Sequence, residues 1–370
     1  MSIMRGITKS LRAPGLSAGA MLAVLLGSGI HDLRAQGREG KGAKHPIVLA
    51  EQGTFAFGGT VLTNPAGQTL HCDHAYAQFQ IPPNARNLPL VMWHSTSTKT
   101  WESNPGGPEG FQDIFVRRGF AVYVIDLPRQ GRAGNACVGT TYAPFVGQDQ
   151  RTFVTWRLGL WTLPSPPTLF PNSQVPRDAA FLNQILRARY PDNEDFADTD
   201  PVEAGAVAAL LAEIGPSTLV THSGSGRYGW LTALRSPNVK GIVSFEPVVY
   251  VFPAGELPPP TGATQLEVPL ADFQKLTRIP IVLVFGDNLD ANDPLIRGLW
   301  PPALANGRAF VAAVNRHGGN AEVLVLPEVG IFGNSHVMML DLNNVQVANL
   351  MSRFLHEKGL DKRKEKDDDH

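Results

Sequence analysis

A serine on a tight turn between a strand and a helix is the feature that most restricts how this chain can fold. The apolar run 217–220 predicts a buried strand, and the pattern over 227–234 predicts a helix. Ser223 lies between them, with the small residues Thr221 and Ser225 two positions away on either side. Small neighbours let the backbone fold back and expose a nucleophile at such a turn. Centring the turn on the second serine would put a large arginine at one flank, so we predict Ser223 as the nucleophile. An ordinary Ser/Gly-rich loop is the alternative.

The rest of the chain predicts the sheet that such a turn requires. Apolar strands alternate with helical patterns from about residue 88 onward, at 88–93, 119–125, 217–220, 239–245, 279–285 and 321–326. This alternation predicts an α/β fold with a mostly parallel central sheet covered by helices on both faces. Two earlier strands, 54–62 and 74–81, predict an antiparallel hairpin that opens the sheet.

Residues 140–200 interrupt this alternation just before the nucleophile strand. The stretch is rich in proline and contains Trp156 and Trp161. A long insertion of this kind is usually functional, so we expect an inserted cap or lid. Trp156 and Trp161, with Trp101 from an earlier loop, are candidates to line an apolar substrate pocket. For any single aromatic residue, however, a place in a small core of the cap is the more frequent outcome.

The two ends of the chain differ in composition from its middle. Residues 1–35 combine basic residues with a short apolar run and end in Ala35, which predicts a signal peptide and a secreted or periplasmic protein. An uncleaved anchor or a disordered leader is the alternative, and no membrane attachment is expected after removal of the signal. Residues 357–370 carry blocks of alternating charge and predict a disordered tail, which leaves 36–356 as the catalytic domain. The formal net charge is −1, so nothing in the overall balance indicates a nucleic-acid partner.

The chain has two cysteines, Cys72 and Cys137. In an oxidising compartment such a pair predicts a disulfide, and two free buried thiols are the alternative. Neither cysteine has the C-x-x-C or Cys/His spacing of a zinc site, so they predict no metal centre.

A serine hydroxyl needs a base within hydrogen-bonding reach, and the base needs an acceptor that fixes its tautomer. In folds built on this turn, the order along the chain is serine, acid, histidine. His336 lies in a loop after the last strand, where the base belongs. Two acids are candidates, because Glu246 ends the strand after the serine turn and Asp287 ends the strand after that. Position alone slightly favours Asp287.

The negative charge that develops on an attacked carbonyl oxygen requires backbone N–H donors. Gly224, directly after the nucleophile, supplies one donor. The loop after strand 88–93 supplies the other, from Thr96 or, as the next choice, Ser95. This machinery needs no metal and no organic cofactor.

Several segments within residues 88–356 carry a resemblance to a known family: His94-Ser95-Thr96-Ser97, Thr100 to Gly107, Gly119 to Asp126, Thr221-His222-Ser223, Phe245-Glu246-Pro247 and Gly333-Asn334-Ser335-His336. They resemble the secreted bacterial serine esterases related to esterase 713 of Alcaligenes. The resemblance implies an α/β-hydrolase fold with a cap, Glu246 rather than Asp287 as the acid, and a homodimer. In the oxyanion loop this chain has serine and threonine where the family has His-Gly and adjacent cysteines, so the family's substrate preference does not carry over.

These observations predict a serine hydrolase that cleaves small-molecule carboxylic esters through an acyl-enzyme intermediate. Opening of a lactone or cleavage of an aryl amide by the same residues is the alternative. A non-catalytic binding protein of the same fold is less favoured, because serine, acid and histidine occur in the required order.

Overall fold

The computed structural model describes residues 45–94, 98–140, 144–189 and 198–363. Its strands, numbered in chain order, are β1 (Glu51–Phe57), β2 (Thr60–Thr63), β3 (Thr69–Cys72), β4 (Ala75–Ile81), β5 (Leu90–His94), β6 (Val122–Asp126), β7 (Gly159–Leu160), β8 (Thr168–Leu169), β9 (Ser217–His222), β10 (Val239–Phe245), β11 (Tyr250–Pro253), β12 (Gln265–Val268), β13 (Pro280–Phe285) and β14 (Asn320–Val325). Its α-helices are α1 (Phe111–Arg117), α2 (Gln148–Thr155), α3 (Ala179–Arg187), α4 (Thr199–Ile214), α5 (Ser225–Arg235), α6 (Leu270–Leu276), α7 (Pro294–Arg316) and α8 (Asn344–Glu357).

Eight strands form one sheet in the order β1-β4-β6-β5-β9-β10-β13-β14. From β6 to β14 all neighbouring strands are parallel, whereas β4 is antiparallel to both β1 and β6. β5 and β9 are buried along their whole length, as expected of central parallel strands that are covered on both faces. The mostly parallel sheet predicted from the sequence is therefore confirmed.

A hydrophobic cluster lies on each face of the sheet. Leu219 and Val220 are neighbours on β9, and they pack into different clusters because successive side chains of a strand point to opposite faces. α4, α5 and α7 contribute to the cluster of Leu219, and α1 and α8 contribute to the cluster of Val220. Full burial of one such aliphatic side chain stabilises the fold by about 1.5–3 kcal/mol.

The predicted strand 54–62 is two strands in the structure. β1 ends at Phe57 and β2 begins at Thr60, and Gly58 and Gly59 between them have φ angles of 62° and 84°. These left-handed conformations suit glycine and break the extended run. A Cβ on Gly59 would also lie 2.3 Å from Nδ1 of His74. The small β2–β3 hairpin is thus inserted between β1 and β4, which pair antiparallel as predicted.

Residues of the predicted cap pack onto the main domain. α2, the β7–β8 pair and α3 all lie between β6 and α4 along the chain. Phe153 and Phe181 are buried, and they belong to the same hydrophobic cluster as Phe111 of α1. These aromatic side chains therefore extend the core of the domain, and the proposal of a separate cap core finds no support in them.

Cys72 and Cys137 form a disulfide, which confirms the predicted pairing. The bond joins the end of β3 to the loop after β6. The carboxylate of Asp73 reinforces this junction, since it accepts hydrogen bonds from the Arg129 guanidinium and from the N–H of Cys137.

The prediction that the chain is disordered from residue 357 is wrong for the part of the tail that the structure describes. Leu360 is buried in a core cluster, and Arg363 forms an isolated β-bridge with Arg86. An apolar anchor within a charged segment holds the chain against the domain as far as residue 363. The predicted signal peptide, 1–35, lies outside the described residues. Within the described ranges, no helix has both the length and the apolar character needed to span a bilayer.

Candidate active site

Ser223 occupies a strained turn at the carboxyl end of the central strand β9. It follows His222 directly and precedes α5 by one residue, and its φ angle is 59°. Left-handed backbone is uncommon for residues other than glycine, and such outliers cluster at functional sites. The turn is held to the next strand, because the N–H of Ser223 donates to the carbonyl of Phe245 at 2.9 Å. Close packing also requires Gly226, where a Cβ would lie 2.6 Å from Cβ of Pro247.

The two serines of the turn have different surroundings. Ser225 is fully buried, and its hydroxyl oxygen accepts from the N–H of His222 at 2.9 Å. Its single O–H is within donating distance of the carbonyls of His222 and Trp93, at 2.8 and 3.0 Å. Ser223 is only half-buried. Ser225 therefore stabilises the turn through its hydrogen bonds, whereas Ser223 remains accessible to a ligand.

His336 and Glu246 form a buried hydrogen-bonded pair. Nδ1 of His336 donates to Oε2 of Glu246 at 2.6 Å, although the two residues are 90 positions apart. Glu246 follows β10 directly and has a φ angle of 46°. Its other oxygen, Oε1, accepts from the N–H of Gly286 at 2.6 Å. The acid thus bridges the ends of β10 and β13 and points at the histidine loop.

Asp287 has a different environment. Its Oδ2 accepts from the N–H of Gly333 at 2.7 Å and from Nδ2 of Asn172 at 2.9 Å. The carboxylate therefore ties the histidine loop to the predicted cap. Of the two acids considered from the sequence, the structure brings Glu246, and not Asp287, against the imidazole of His336.

Arg157 is a residue that the sequence did not single out. It follows α2, has a φ angle of 54°, and its fully buried guanidinium forms an ion pair with Glu246. Nε of Arg157 donates to the backbone carbonyl of Asp287 at 2.7 Å. Its Cζ lies 4.3 Å from the ring centroid of Trp300, a cation–π distance. No local signal marks this arginine, because its partner is 89 residues away along the chain.

Charges inside the site determine the protonation of the pair. Burial raises the pKa of Glu246, but the charge of Arg157 and the hydrogen bond from His336 outweigh it, so the pKa lies below its usual value. Burial lowers the pKa of His336, and the hydrogen bond to Glu246 offsets this only in part. The site therefore holds an ionised carboxylate beside a neutral imidazole at neutral pH. Because Nδ1 of His336 donates to the carboxylate, its lone pair is on Nε2.

Two further histidines lie beside His336. His94 ends β5 and His222 ends β9, and they are directly paired in the sheet register. The ring centroid of His222 is 4.5 Å from that of His94 and 4.3 Å from that of His336. Burial lowers the pKa values of both His94 and His222 well below the usual range. All three imidazoles are thus neutral and almost completely buried.

The backbone N–H and carbonyl of His336 each form a hydrogen bond with a neighbouring segment. Its N–H donates to the carbonyl of Trp156 at 2.8 Å, and its carbonyl accepts from Nε2 of His222 at 2.7 Å. Asp341 stabilises the same loop through two hydrogen bonds. Its Oδ2 accepts from the N–H of Ser335, and its Oδ1 accepts from the Ser335 hydroxyl. These contacts fix where the imidazole can point.

The predicted pocket tryptophans lie at different depths. Trp101 is fully buried between Phe111, Phe245 and His222, so it belongs to the core beneath the site. Trp156 is also buried, with its ring 6.1 Å from that of His336, while Trp161 is half-buried.

The predicted oxyanion donors belong to two segments of the chain, the serine turn and the stretch that follows β5. Thr96 and Ser95 lie outside the described residues. Gly224 is half-buried in front of α5, and its N–H donates to no acceptor among the described residues. It is therefore available to a ligand.

A cavity of about 490 Å³ lies elsewhere on the molecule. It is lined near the start of β10 and just before β13 by residues that include Arg235, Lys240, Lys275 and Arg278. Ser223 and Glu246 lie at the opposite, carboxyl ends of the same parallel strands, which is where ligands bind in open α/β sheets. This cavity is therefore separate from the candidate active site.

Comparison with known proteins supports the resemblance seen in the sequence. No family model matches the chain. The chain is similar to the probable secreted lipase phiG of a fungal species, with 25% identity over 312 residues, which cover 76% of this chain and 85% of the lipase. It is also similar to a solved bacterial esterase, with 28% identity and a TM-score of 0.69, over 86% of this chain and 99% of the esterase. The resemblance to bacterial esterases and the α/β-hydrolase fold predicted from the sequence are thereby confirmed.

The support of the histidine loop by Asp341 leads to a prediction about stability and pH. Burial raises the pKa of Asp341 from 3.8 to about 7. A carboxyl whose pKa is raised by folding stabilises the protein fully below its unfolded pKa and loses that contribution as pH rises through the folded pKa. We therefore expect the free energy of unfolding of the wild type, relative to Asp341→Asn, to fall by on the order of a few kcal/mol from about pH 4 to pH 8.

Urea denaturation at a series of pH values measures this difference. Asp290→Asn, which removes an exposed carboxylate, is the matched control and should follow the wild type. Parallel pH profiles for the wild type and Asp341→Asn would contradict the prediction.

Proposed function

We propose that this protein is a secreted serine esterase that hydrolyses carboxylic esters of small molecules. The observation that carries the proposal is the buried 2.6 Å hydrogen bond between His336 and Glu246, beside the strained turn that presents Ser223. The relatives support the reaction class, since one is a bacterial esterase and the other a probable secreted lipase. Secretion is further supported by the signal-like composition of residues 1–35.

In the proposed reaction, Ser223 attacks the ester carbonyl as His336 takes its proton at Nε2. The resulting imidazolium is stabilised by Glu246, and it passes the proton to the leaving alcohol. An acyl-enzyme on Ser223 remains. Water, activated by the same histidine, then attacks the acyl group and restores the free serine.

The oxyanion is proposed to bind at the start of α5. The N–H of Gly224 donates to no acceptor among the described residues and directly follows the nucleophile, so we assign it as the first oxyanion donor. The N-terminus of a helix adds a partial positive charge at the same place. Thr96 is proposed as the second donor from its place in the sequence.

Arg157 is proposed as a positioning residue for the acid. A carboxylate without solvent contact is costly unless it is paired and hydrogen-bonded. Glu246 receives three such partners, namely Arg157, Gly286 and His336. With Oε1 held by the first two, Oε2 remains directed at the imidazole. Arg157 thus acts on the reaction through Glu246.

Replacing the nucleophile tests the enzyme class. We expect Ser223→Ala to lose esterase turnover by several orders of magnitude and to lose labelling by a fluorophosphonate probe. Ser225→Ala is the matched contrast, because it should be less stable yet remain labelled when folded. Absence of labelling in the folded wild-type protein would contradict the proposal. A turnover screen with short acyl, long acyl, aryl and lactone substrates then defines the substrate class.

The two acids are distinguished by a pair of isosteric substitutions. Glu246→Gln should lower kcat by roughly 10²–10⁴-fold, because a neutral amide no longer stabilises the imidazolium. Asp287→Asn should lower kcat by less than about tenfold, since its carboxylate contacts the loop and not the imidazole. Steady-state kinetics on both variants measures this, and the reverse ranking would return the role of the acid to Asp287.

Removal of Arg157 should affect both stability and turnover. Arg157→Met leaves a buried carboxylate without its ion-pair partner, which should lower the free energy of unfolding by about 3–5 kcal/mol. It should also lower kcat with little change in KM, because the carboxylate is no longer fixed. Arg157→Lys, which keeps the charge without the guanidinium fork, should recover part of kcat.

The double variant Arg157→Met/Glu246→Gln separates the two effects. It removes both charges, so most of the lost stability should return while turnover stays low. Stability of Arg157→Met equal to that of the wild type would contradict the assigned ion pair.

A further inference from the structure

Three neutral histidines form a cluster around His222, the residue directly before Ser223. Each of His94, His222 and His336 offers a ring nitrogen, and these nitrogens lie within 4.8 Å of one another. The side chains come from the ends of two paired strands and from the histidine loop, so the backbone itself brings them together. The proposed hydrolysis uses one of the three directly, which leaves the purpose of the cluster open.

The hydrogen bond of His222 fixes its tautomer. Nε2 of His222 lies 2.7 Å from the carbonyl of His336. A carbonyl can only accept, so this nitrogen carries the proton and Nδ1 keeps its lone pair. Nδ1 is buried and has no hydrogen-bond partner among the described residues. A buried, unsatisfied lone pair therefore remains on this nitrogen.

His336 is fixed in the complementary way. Its Nδ1 donates to the carboxylate of Glu246, so its lone pair is on Nε2. Histidines that bind metals characteristically donate their other ring N–H to a carboxylate or a backbone carbonyl, which orients the ring and makes the ligand more basic. His336 has the carboxylate partner, and His222 has the carbonyl partner. Two of the three imidazoles thus already have the hydrogen-bond partners that metal-binding histidines have.

We propose that His94, His222 and His336 form an inhibitory binding site for a borderline-soft divalent cation such as Zn²⁺. Three imidazole nitrogens are a ligand set that suits Zn²⁺, and the fourth tetrahedral position is left for water. Zn–N bonds of about 2.0–2.1 Å place tetrahedral ligand atoms about 3.3 Å apart. The nitrogens within 4.8 Å must therefore approach by at most about 1.5 Å on binding of the cation.

The consequence for catalysis follows from the lone pair on His336. A cation bound at Nε2 occupies the electrons that would take the proton of Ser223. Binding of the cation would therefore inhibit the enzyme without any contact with Ser223. This consequence rests on the proposed function, whereas binding of the cation does not.

Direct binding is the first test. Isothermal titration of the chelator-treated Ser223→Ala protein with Zn²⁺ should show one site per chain. His94→Gln and His222→Gln should each weaken binding by at least about tenfold. Glutamine at position 222 can still donate an N–H toward the carbonyl of His336, so loss of binding there reports the imidazole and not the loop. Circular dichroism and thermal unfolding show which variants are folded.

A matched control lies on the surface. His71 and His74 also stack, with ring centroids 6.1 Å apart, and His71 is exposed on the β2–β3 hairpin. His71→Gln should leave Zn²⁺ binding unchanged. In the wild type, Zn²⁺ should slow fluorophosphonate labelling of Ser223, and a chelator should restore the rate. This measurement needs no variant in the cluster.

The outcomes separate the two proposals. Absence of Zn²⁺ binding to both the wild type and Ser223→Ala would overturn the metal site. So would binding that survives both His94→Gln and His222→Gln, or binding that His71→Gln abolishes. Zn²⁺ binding at the cluster in a protein without esterase activity would keep the site and overturn only the proposed function.

Discussion

The buried ion pair between Arg157 and Glu246 is the interaction on which the arrangement of the site depends. Both side chains are fully excluded from solvent, so neither charge could remain there alone. The pair joins the segment after α2 to the end of β10, and the remaining hydrogen bonds of Glu246 reach Gly286 and His336. Four separate parts of the chain therefore meet at one carboxylate. Its geometry is specified by partners and not by the intrinsic preference of any one segment.

The sheet provides the second constraint. Two adjacent parallel strands, β9 and β10, are each followed by a residue with positive φ, Ser223 and Glu246. Strained conformations of this kind cost about 1–3 kcal/mol each and persist when the surroundings over-determine them. Here the N–H of Ser223 bonds to Phe245, and the N–H of Glu246 bonds to Val284. The hydrogen-bonded strands thus hold Ser223 and Glu246 at the same edge of the sheet.

Much of the fold was accessible from sequence because its signals are local. Apolar runs bounded by turns predicted the central strands, and the small residues around Ser223 predicted the turn. Where a signal was ambiguous, tertiary contacts decided, as for the tail, in which the single apolar residue Leu360 finds a place in the core. Arg157 had no local signal at all. An arginine in a proline-rich insertion is usually solvated, and only burial against Glu246 distinguishes this one.

The sequence by itself determined the central strands of the parallel sheet, the serine turn and the loop that carries His336, since each depends on residues close together along the chain. The choice between two acids was left to a resemblance, because Glu246 and Asp287 both follow buried strands. Only the tertiary structure brought Glu246 and the neighbouring histidines against His336, and Arg157 against Glu246. Hydrogen bonds of 2.6–2.7 Å between residues 90 and 114 positions apart depend on how the layers pack, and no local sequence pattern encodes them.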